Sequence, residues 1–68
     1  MNYNLENRFT YHPPKDGQSE KYEEIRRYAL KYAQLLIATA PVSPELSMAL
    51  SKLDEVVFWG NAAIARNE

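Results

Sequence analysis

Cysteine is absent from this chain of 68 residues, so neither disulfides nor thiolate metal ligands can stabilise it. His12 is the only histidine, which leaves too few nitrogen ligands for a conventional zinc site. Only two glycines are present, so no glycine-rich phosphate loop can be built. Because a small core rarely supplies more than about 3–5 kcal/mol below roughly 70–80 residues, association between copies is the remaining route to stability.

The chain also lacks an excess of basic residues and a long apolar run. Its formal net charge is −1 and its pI is about 5.8, whereas general DNA or RNA binding depends on a strongly basic face. The longest apolar candidate, residues 35–40, is far shorter than the ~20 residues of a membrane span. The first twenty residues contain no secretory signal. These absences predict a soluble, intracellular protein that binds neither DNA nor a membrane.

Residues 1–18 form an N-terminal arm that precedes two helical segments in a single domain, 1–68. Within the arm, residues 5–8 favour a helical turn, and residues 9–12 alternate like an extended strand. The Pro13–Pro14 step then keeps the backbone extended, because a residue before proline avoids the helical region. The arm is therefore expected to carry its aromatic rings on an extended backbone.

Helix one is predicted over 19–40, with Ser19 as its N-cap and Pro41 ending it. Helix two is predicted over 43–67. Ser43, followed by a proline and an acid, is the clearest helix-start signal in the chain. Since the connection between the helices is short, they should fold back antiparallel.

Apolar residues on both helices exceed what one hairpin can cover. The expected stripes are Tyr22, Ile25, Ala29, Tyr32 and Leu36 on helix one, and Leu46, Leu50, Leu53, Val57, Gly60 and Ile64 on helix two. The second half of helix two is apolar nearly all round. The sequence therefore predicts an all-α protein, an antiparallel two-helix hairpin with an N-terminal arm, assembled into a homo-oligomer. Gly60 is explained equally well by close approach of another backbone or as a tolerated imperfection.

Enzyme chemistry finds no support in the sequence. There is no cysteine nucleophile and no second histidine for a base. Glu23–Glu24 and Asp54–Glu55 are adjacent pairs, whose side chains point about 100° apart on a helix and cannot share a proton. We therefore predict no catalytic residue, no metal site and no cofactor.

The arm offers groups suited to a planar, anionic ligand. Phe9 and Tyr11 can stack on bases, and the Tyr11 phenol can donate to a phosphate oxygen. Nearby cations can bind phosphate through charge-assisted hydrogen bonds: Arg8, Lys15, Lys21 and Arg26. The alternative, which the pattern alone favours, is an arm that packs its rings into a neighbouring subunit.

Asn61 and Arg66 are polar groups within a run of small residues at the end of helix two. Small residues let helices pack closely around a symmetry axis, where repeated copies of Arg66 would need an anion between them. The plainer alternative is that Arg66 complements the helix dipole, and by itself the pattern favours this one.

Three segments together resemble a known family. They are ENRFTYH at 6–12, followed by a Pro-Lys loop, then ALSKLDEVVFW at 49–59 and NAAIARN at 61–67. This order is similar to the helical-hairpin domain of phage anti-CBASS sponge proteins, a hairpin related to that of Thoeris anti-defence sponges. The resemblance covers nearly the whole chain and is loose between residues 28 and 46.

The resemblance implies a phage immune-evasion protein that sequesters cyclic oligonucleotide messengers in the host cell cytoplasm without cleaving them. It implies a homo-oligomer, typically a hexamer, with cyclic dinucleotides of the cyclic GMP–AMP type in pockets between two protomers. Cyclic trinucleotides would occupy a separate site on a three-fold axis. The alternative function is a small helical structural or protein-interaction module with no nucleotide ligand.

Carried onto matching positions, the resemblance makes Tyr11 the base-stacking residue, with Phe9 and His12 beside it. The family's helix-one lysine corresponds to Arg26 here, with Lys21 as a stand-in. The remaining expected ligands are Arg8 and Lys15 for the dinucleotide and Arg66 and Asn61 for the trinucleotide. Arginine for lysine replaces a point charge by a planar fork, and Gly60 stands where alanine is expected.

Overall fold

The computed structural model describes residues 3–68, so the first two residues of the predicted arm lie outside the described range. Three helices follow one another: α1 (Leu5–Arg8), α2 (Gln18–Thr39) and α3 (Pro44–Asn67). No strand occurs among the described residues. The all-α prediction is therefore confirmed, and α2 and α3 form the hairpin.

Helix α2 begins at Gln18, one residue earlier than predicted, and Ser19 is not its N-cap. The cap position is Gly17, whose φ of 84° turns the chain directly into the helix without a side-chain cap bond. Gln18 closes this turn with two hydrogen bonds to Lys15. Its side-chain Oε1 accepts from the Lys15 backbone N–H at 3.0 Å, and its backbone N–H donates to the Lys15 carbonyl at 3.0 Å. Local propensity favoured serine, but the left-handed glycine decided the start of the helix.

Helix α3 begins as predicted. The Ser43 hydroxyl oxygen accepts from the Leu46 amide at 3.1 Å, and Pro44 occupies the first turn. Helix α2 ends at Thr39, where Ala40 takes an extended conformation before Pro41. The connection between the two helices is accordingly tight.

The predicted strand at 9–12 is wrong in its first half. Phe9 has φ −116° and ψ 17°, and its amide donates to the Leu5 carbonyl at 3.0 Å. The Thr10 hydroxyl donates to the Glu6 carbonyl in the same way. These two bonds prolong the turn of α1, so Phe9 and Tyr11 do not share one face of an extended segment.

Helices α2 and α3 pack antiparallel, since the start of α2 meets the end of α3. The stripe predicted on α3 is half-buried throughout, from Leu46 to Ile64. On α2, the predicted stripe is half-buried except at Tyr32, which remains 55% exposed, while Ala33 is half-buried beside it. A methyl group at Gly60 would lie 3.6 Å from Ile25 Cδ1, an ordinary contact, so the packing within this hairpin does not require glycine.

A single hairpin leaves its apolar surface largely uncovered. No apolar residue in the described range is fully buried. The accessible surface is 5728 Å², compared with about 4400 Å² for a compact monomer of this mass. The radius of gyration is 15.1 Å, compared with about 11 Å for a compact chain of this length. Within residues 3–68, no helix combines the length and apolarity needed to cross a bilayer.

Candidate functional site

A cavity of about 350 Å³ lies where the arm meets both long helices, at the end of the hairpin opposite the α2–α3 turn. We call it the Tyr11 cavity; its walls are Tyr11, His12, Pro14, Tyr22, Arg26, Asn61, Ala62 and Ala65. Four of the predicted ligand residues therefore meet in one place, although they come from three different segments of the chain. A stacking ring, a cation and an amide face the same space.

The arm reaches this position through hydrogen bonds to its own first helix and to α3. The Asn7 side-chain amide donates to the Arg66 carbonyl at 3.2 Å, which ties α1 to the end of α3. His12 Nε2 donates to the Asn7 carbonyl at 2.7 Å and so folds the next segment back on α1. Because His12 already has this partner, its first role in the fold is to orient the arm beside Tyr11.

Tyr11 places its ring at the mouth of the cavity, with 80% of its surface exposed. Its hydroxyl has no hydrogen-bond partner among residues 3–68. An exposed ring that is held by an ordered arm can stack on a base with little reordering. The same phenol can donate to a phosphate oxygen.

Arg26 enters the cavity from α2, one helical turn after Tyr22. Its guanidinium forms no ion pair or hydrogen bond with the part of the chain that the structure describes. A planar cation without a protein partner can bind a phosphate with two parallel hydrogen bonds. Arg26 is thus the cation of the predicted set that is both unpaired and inside the cavity.

Tyr22 and Pro14 were not among the sequence-predicted site residues, yet both line the cavity. Tyr22 had been assigned to the core stripe of helix one. The spacing of four residues between Tyr22 and Arg26 was the available signal, because residues so spaced lie on one face of a helix.

Lys15 and Lys21 lie away from this cavity and bind Glu68 instead. Lys21 Nζ lies 2.6 Å from Glu68 Oε2, and Lys15 Nζ donates to the Glu68 carbonyl. The buried Gln18 adds a longer bond from Nε2 to Glu68 Oε1, at 3.4 Å. The bonds from Lys21 and Gln18 lower the pKa of the Glu68 carboxyl. We call this group the Glu68 clasp; it joins the start of α2 to the end of α3.

Arg8 and Phe9 pair with each other outside the cavity. The Arg8 guanidinium carbon lies 5.7 Å from the centroid of the Phe9 ring, a cation–π distance. Phe9 is 79% exposed. The structure therefore separates Phe9 from Tyr11, which the sequence had grouped together.

Arg66 borders a different cavity on α3. This cavity measures about 360 Å³ and is lined by Glu55, Phe58, Trp59, Ala62 and Arg66. Arg66 is half-buried, and its Nη2 lies 3.5 Å from the Arg8 carbonyl, at the limit of a hydrogen bond. Asn61, which the sequence had grouped with Arg66, instead lines the Tyr11 cavity.

A larger apolar groove of about 560 Å³ runs between the two long helices. It contains mainly aliphatic and aromatic side chains, among them Ile25, Tyr28, Tyr32, Val56 and Val57. Within residues 3–68, no group of three or more histidine, aspartate or glutamate side chains could hold a metal ion.

A family model described as "Acb2/Tad1, hairpin domain" matches residues 1–65. The match spans the arm, α2, α3 as far as Ala65 and every residue that lines the Tyr11 cavity, whereas Arg66 lies just beyond it. No curated protein and no solved structure gives a significant match to the chain.

Proposed function

The chain belongs to the Acb2/Tad1 hairpin-domain family, the anti-CBASS and anti-Thoeris sponge family, and we propose that it sequesters cyclic oligonucleotide messengers. In this proposal the protein acts by stoichiometric binding in the host cell cytoplasm and leaves the messenger intact. Affinity and copy number, not turnover, set its effect. The family is one of binding domains, not enzymes.

The observation that carries this proposal is the meeting of Tyr11, Arg26 and Asn61 in one cavity, none of them paired with another described residue. Base stacking on a tyrosine contributes about 1–3 kcal/mol per base. An unpaired arginine beside it supplies charge-assisted bonds to a phosphate. A nucleotide of the cyclic GMP–AMP type offers both a flat base and a phosphate.

Assembly completes the proposal. One hairpin buries no apolar side chain fully, and the groove that contains Tyr28, Tyr32 and Val56 is open to solvent. A second copy laid on this surface would provide the missing core. We propose a homo-oligomer, with the hexamer of the resembled family as the expected size. Enclosing the ligand between copies slows its release, and most affinity tuning lies in the off-rate.

Arg66 supports a second proposed site, for cyclic trinucleotides. Its cavity also contains Trp59 and Phe58, which are 67% and 66% exposed. Aromatic rings beside an arginine suit bases beside a phosphate. Repetition of Arg66 around a symmetry axis would concentrate positive charge, which an anion can compensate.

A helical assembly module without a nucleotide ligand is the second candidate. The exposed rings of Phe9, Phe58 and Trp59 favour it, because such rings are also what a protein partner buries. The absorbance of the purified protein separates the two functions. Bound nucleotide shifts the ratio of absorbances toward 260 nm, whereas a protein-only assembly does not.

The test of the proposed function is calorimetric titration with cyclic GMP–AMP, followed by denaturation of the complex and chromatography of the released ligand. Tight binding and intact nucleotide are expected. A cleaved product would identify a nuclease. No heat with any cyclic di- or trinucleotide would overturn sequestration and leave the assembly module.

A further inference from the structure

Asn61 is one of the residues of the Tyr11 cavity whose side-chain polar groups have no partner among the described residues. Its Oδ1 is shielded from water and has no hydrogen-bond partner within residues 3–68. No hydrogen bond joins its Nδ2 to another described residue either. By contrast, Asn7 and Asn67 each donate from Nδ2 to a backbone carbonyl, at 3.2 and 2.9 Å.

An unpaired amide at this position lowers the stability of the ligand-free chain, because no hydrogen bond offsets its loss of contact with water. A buried acceptor without a donor carries a desolvation penalty. Asparagine is also a poorer helix former than alanine, and the residues around it are Ala62, Ala63 and Ala65. An alanine at position 61 would serve the isolated hairpin better. The amide is therefore explained by something that the cavity holds.

We infer that Asn61 reads the base edge of the bound nucleotide and makes the cavity prefer adenine to guanine. This inference rests on the proposed function. An amide presents one acceptor and one donor in a plane, which matches the N7 acceptor and N6 donor of adenine. The corresponding edge of guanine presents two acceptors, N7 and O6, so one half of the amide has no partner there.

The neighbouring side chains leave this selective role to Asn61. Tyr11 can stack on any base, because every base has a π face. Arg26 binds phosphate, which is common to all cyclic nucleotides. Because Oδ1 is shielded in the ligand-free chain, pairing with both adenine groups requires the Asn61 side chain to turn toward the cavity about its Cα–Cβ and Cβ–Cγ bonds, which does not move the helix.

The test compares the affinities of the full chain for cyclic di-AMP and cyclic di-GMP, by calorimetry, in the wild type and in Asn61→Ala. We expect the substitution to lower the affinity for cyclic di-AMP about tenfold, the usual scale for one well-placed amide–base pair. The affinity for cyclic di-GMP should change less than twofold. Asn67→Ala is the matched control, because it removes the same amide from the same helix outside the cavity. Equal losses for both ligands, or no loss, would overturn base reading.

Thermal unfolding of the ligand-free variants supplies a second readout. Asn61→Ala is expected to unfold at the same temperature as the wild type or higher, since it removes an unpaired amide. A lower midpoint would identify a structural amide and overturn the inference. If the wild type binds neither of these messengers but does bind cyclic GMP–AMP, or if it binds both and Asn61→Ala weakens both alike, the inference alone fails. If it binds no cyclic di- or trinucleotide, the proposed function fails as well.

Discussion

The two ends of the hairpin are held together in different ways. At the turn end, the hydrogen bonds are local: Ser43 caps α3 through Leu46 and donates to the Pro41 carbonyl at 3.0 Å. At the opposite, open end, local bonds are joined by others between residues far apart in the sequence. Asn7 donates to Arg66, and the side chains of Lys15 and Lys21 bind Glu68.

This contrast supports placing the proposed binding site at the open end. The turn end satisfies its polar groups within a few residues and presents Val42, which is 99% exposed, as its tip. The open end orders an arm over the helices and leaves Arg26 and Asn61 unpaired beside Tyr11. Polar groups that are ordered but unpaired can bind a ligand without first breaking other bonds.

Tyr11→Ala is expected to have the largest effect at the open end. Loss of stacking on one base, about 1–3 kcal/mol, corresponds to a loss of roughly 5- to 150-fold in affinity for cyclic GMP–AMP by calorimetry. Tyr3→Ala is the control, because it removes another exposed tyrosine ring of the arm that does not line the cavity. The proposed oligomer should stay intact in both variants on size-exclusion chromatography. A Tyr11 variant that dissociates would show that the arm serves assembly.

Arg26→Ala is expected to lower the affinity for cyclic GMP–AMP about tenfold, because one charge-assisted contact to phosphate is lost. Arg26→Lys should recover part of this loss, since it restores the charge but not the planar fork. Arg27→Ala is the neighbouring control: its guanidinium lies 5.2 Å from the Tyr28 ring centroid and does not line the Tyr11 cavity. Equal losses at positions 26 and 27 would indicate general charge attraction and contradict a specific contact.

Gly60→Ala separates packing within the hairpin from packing between copies. Its new methyl group would meet Ile25 at an ordinary distance, 3.6 Å, so the hairpin alone should gain about 1 kcal/mol from better helix propensity. For a chain of this size, that gain raises the thermal midpoint by about 4–8 °C. A lower midpoint would mean that another copy approaches this backbone closely.

Glu68→Gln should have the smallest effect, a slight change in thermal stability that depends on pH. The pKa of Glu68 lies below its ordinary value of 4.5, chiefly through the bond to Lys21. The clasp therefore stabilises the fold above pH 4.5, and this contribution disappears as the pH falls through the lowered pKa. The thermal midpoints of wild type and variant should differ slightly at pH 7 and coincide once the pH is well below the lowered pKa of Glu68. Glu23→Gln, on the exposed face of α2, is the control, and a pH-independent difference would contradict the role of this charge.

Much of the fold could be predicted from residue patterns, but only where the deciding contacts are local. Ser43 was recognised because its partner, Leu46, is three residues away. The prediction of Ser19 as the N-cap of α2 is wrong, because the left-handed turn at Gly17 starts the helix one residue earlier. Gln18 completes this turn and donates a hydrogen bond to Glu68, which directly follows α3. The strand predicted at 9–12 is wrong in its first half because Phe9, the C-cap of α1, donates its amide to the Leu5 carbonyl.

The types of residue in the candidate site could be predicted from the sequence, but not which of them lie in the same cavity. A stacking ring and a phosphate-binding cation could be named, and the structure brings Tyr11 and Arg26 into one cavity. The separation of Phe9 from Tyr11 and of Lys21 from Arg26 could not be foreseen. Asn61 and Arg66 are five residues apart on one helix, yet they border different cavities.

The sequence by itself determined that this protein is a helical hairpin with a tight turn, too small and too apolar on its outer faces to form a closed core alone. Periodicity and capping determine these features, because they act over three or four residues. Only the tertiary structure decided which polar groups are engaged by the fold, such as Lys15 and Lys21, and which remain unpaired, such as Arg26 and Asn61. That outcome depends on the pairing of α2 with α3, which brings together residues some 35–50 positions apart, and no local preference encodes it.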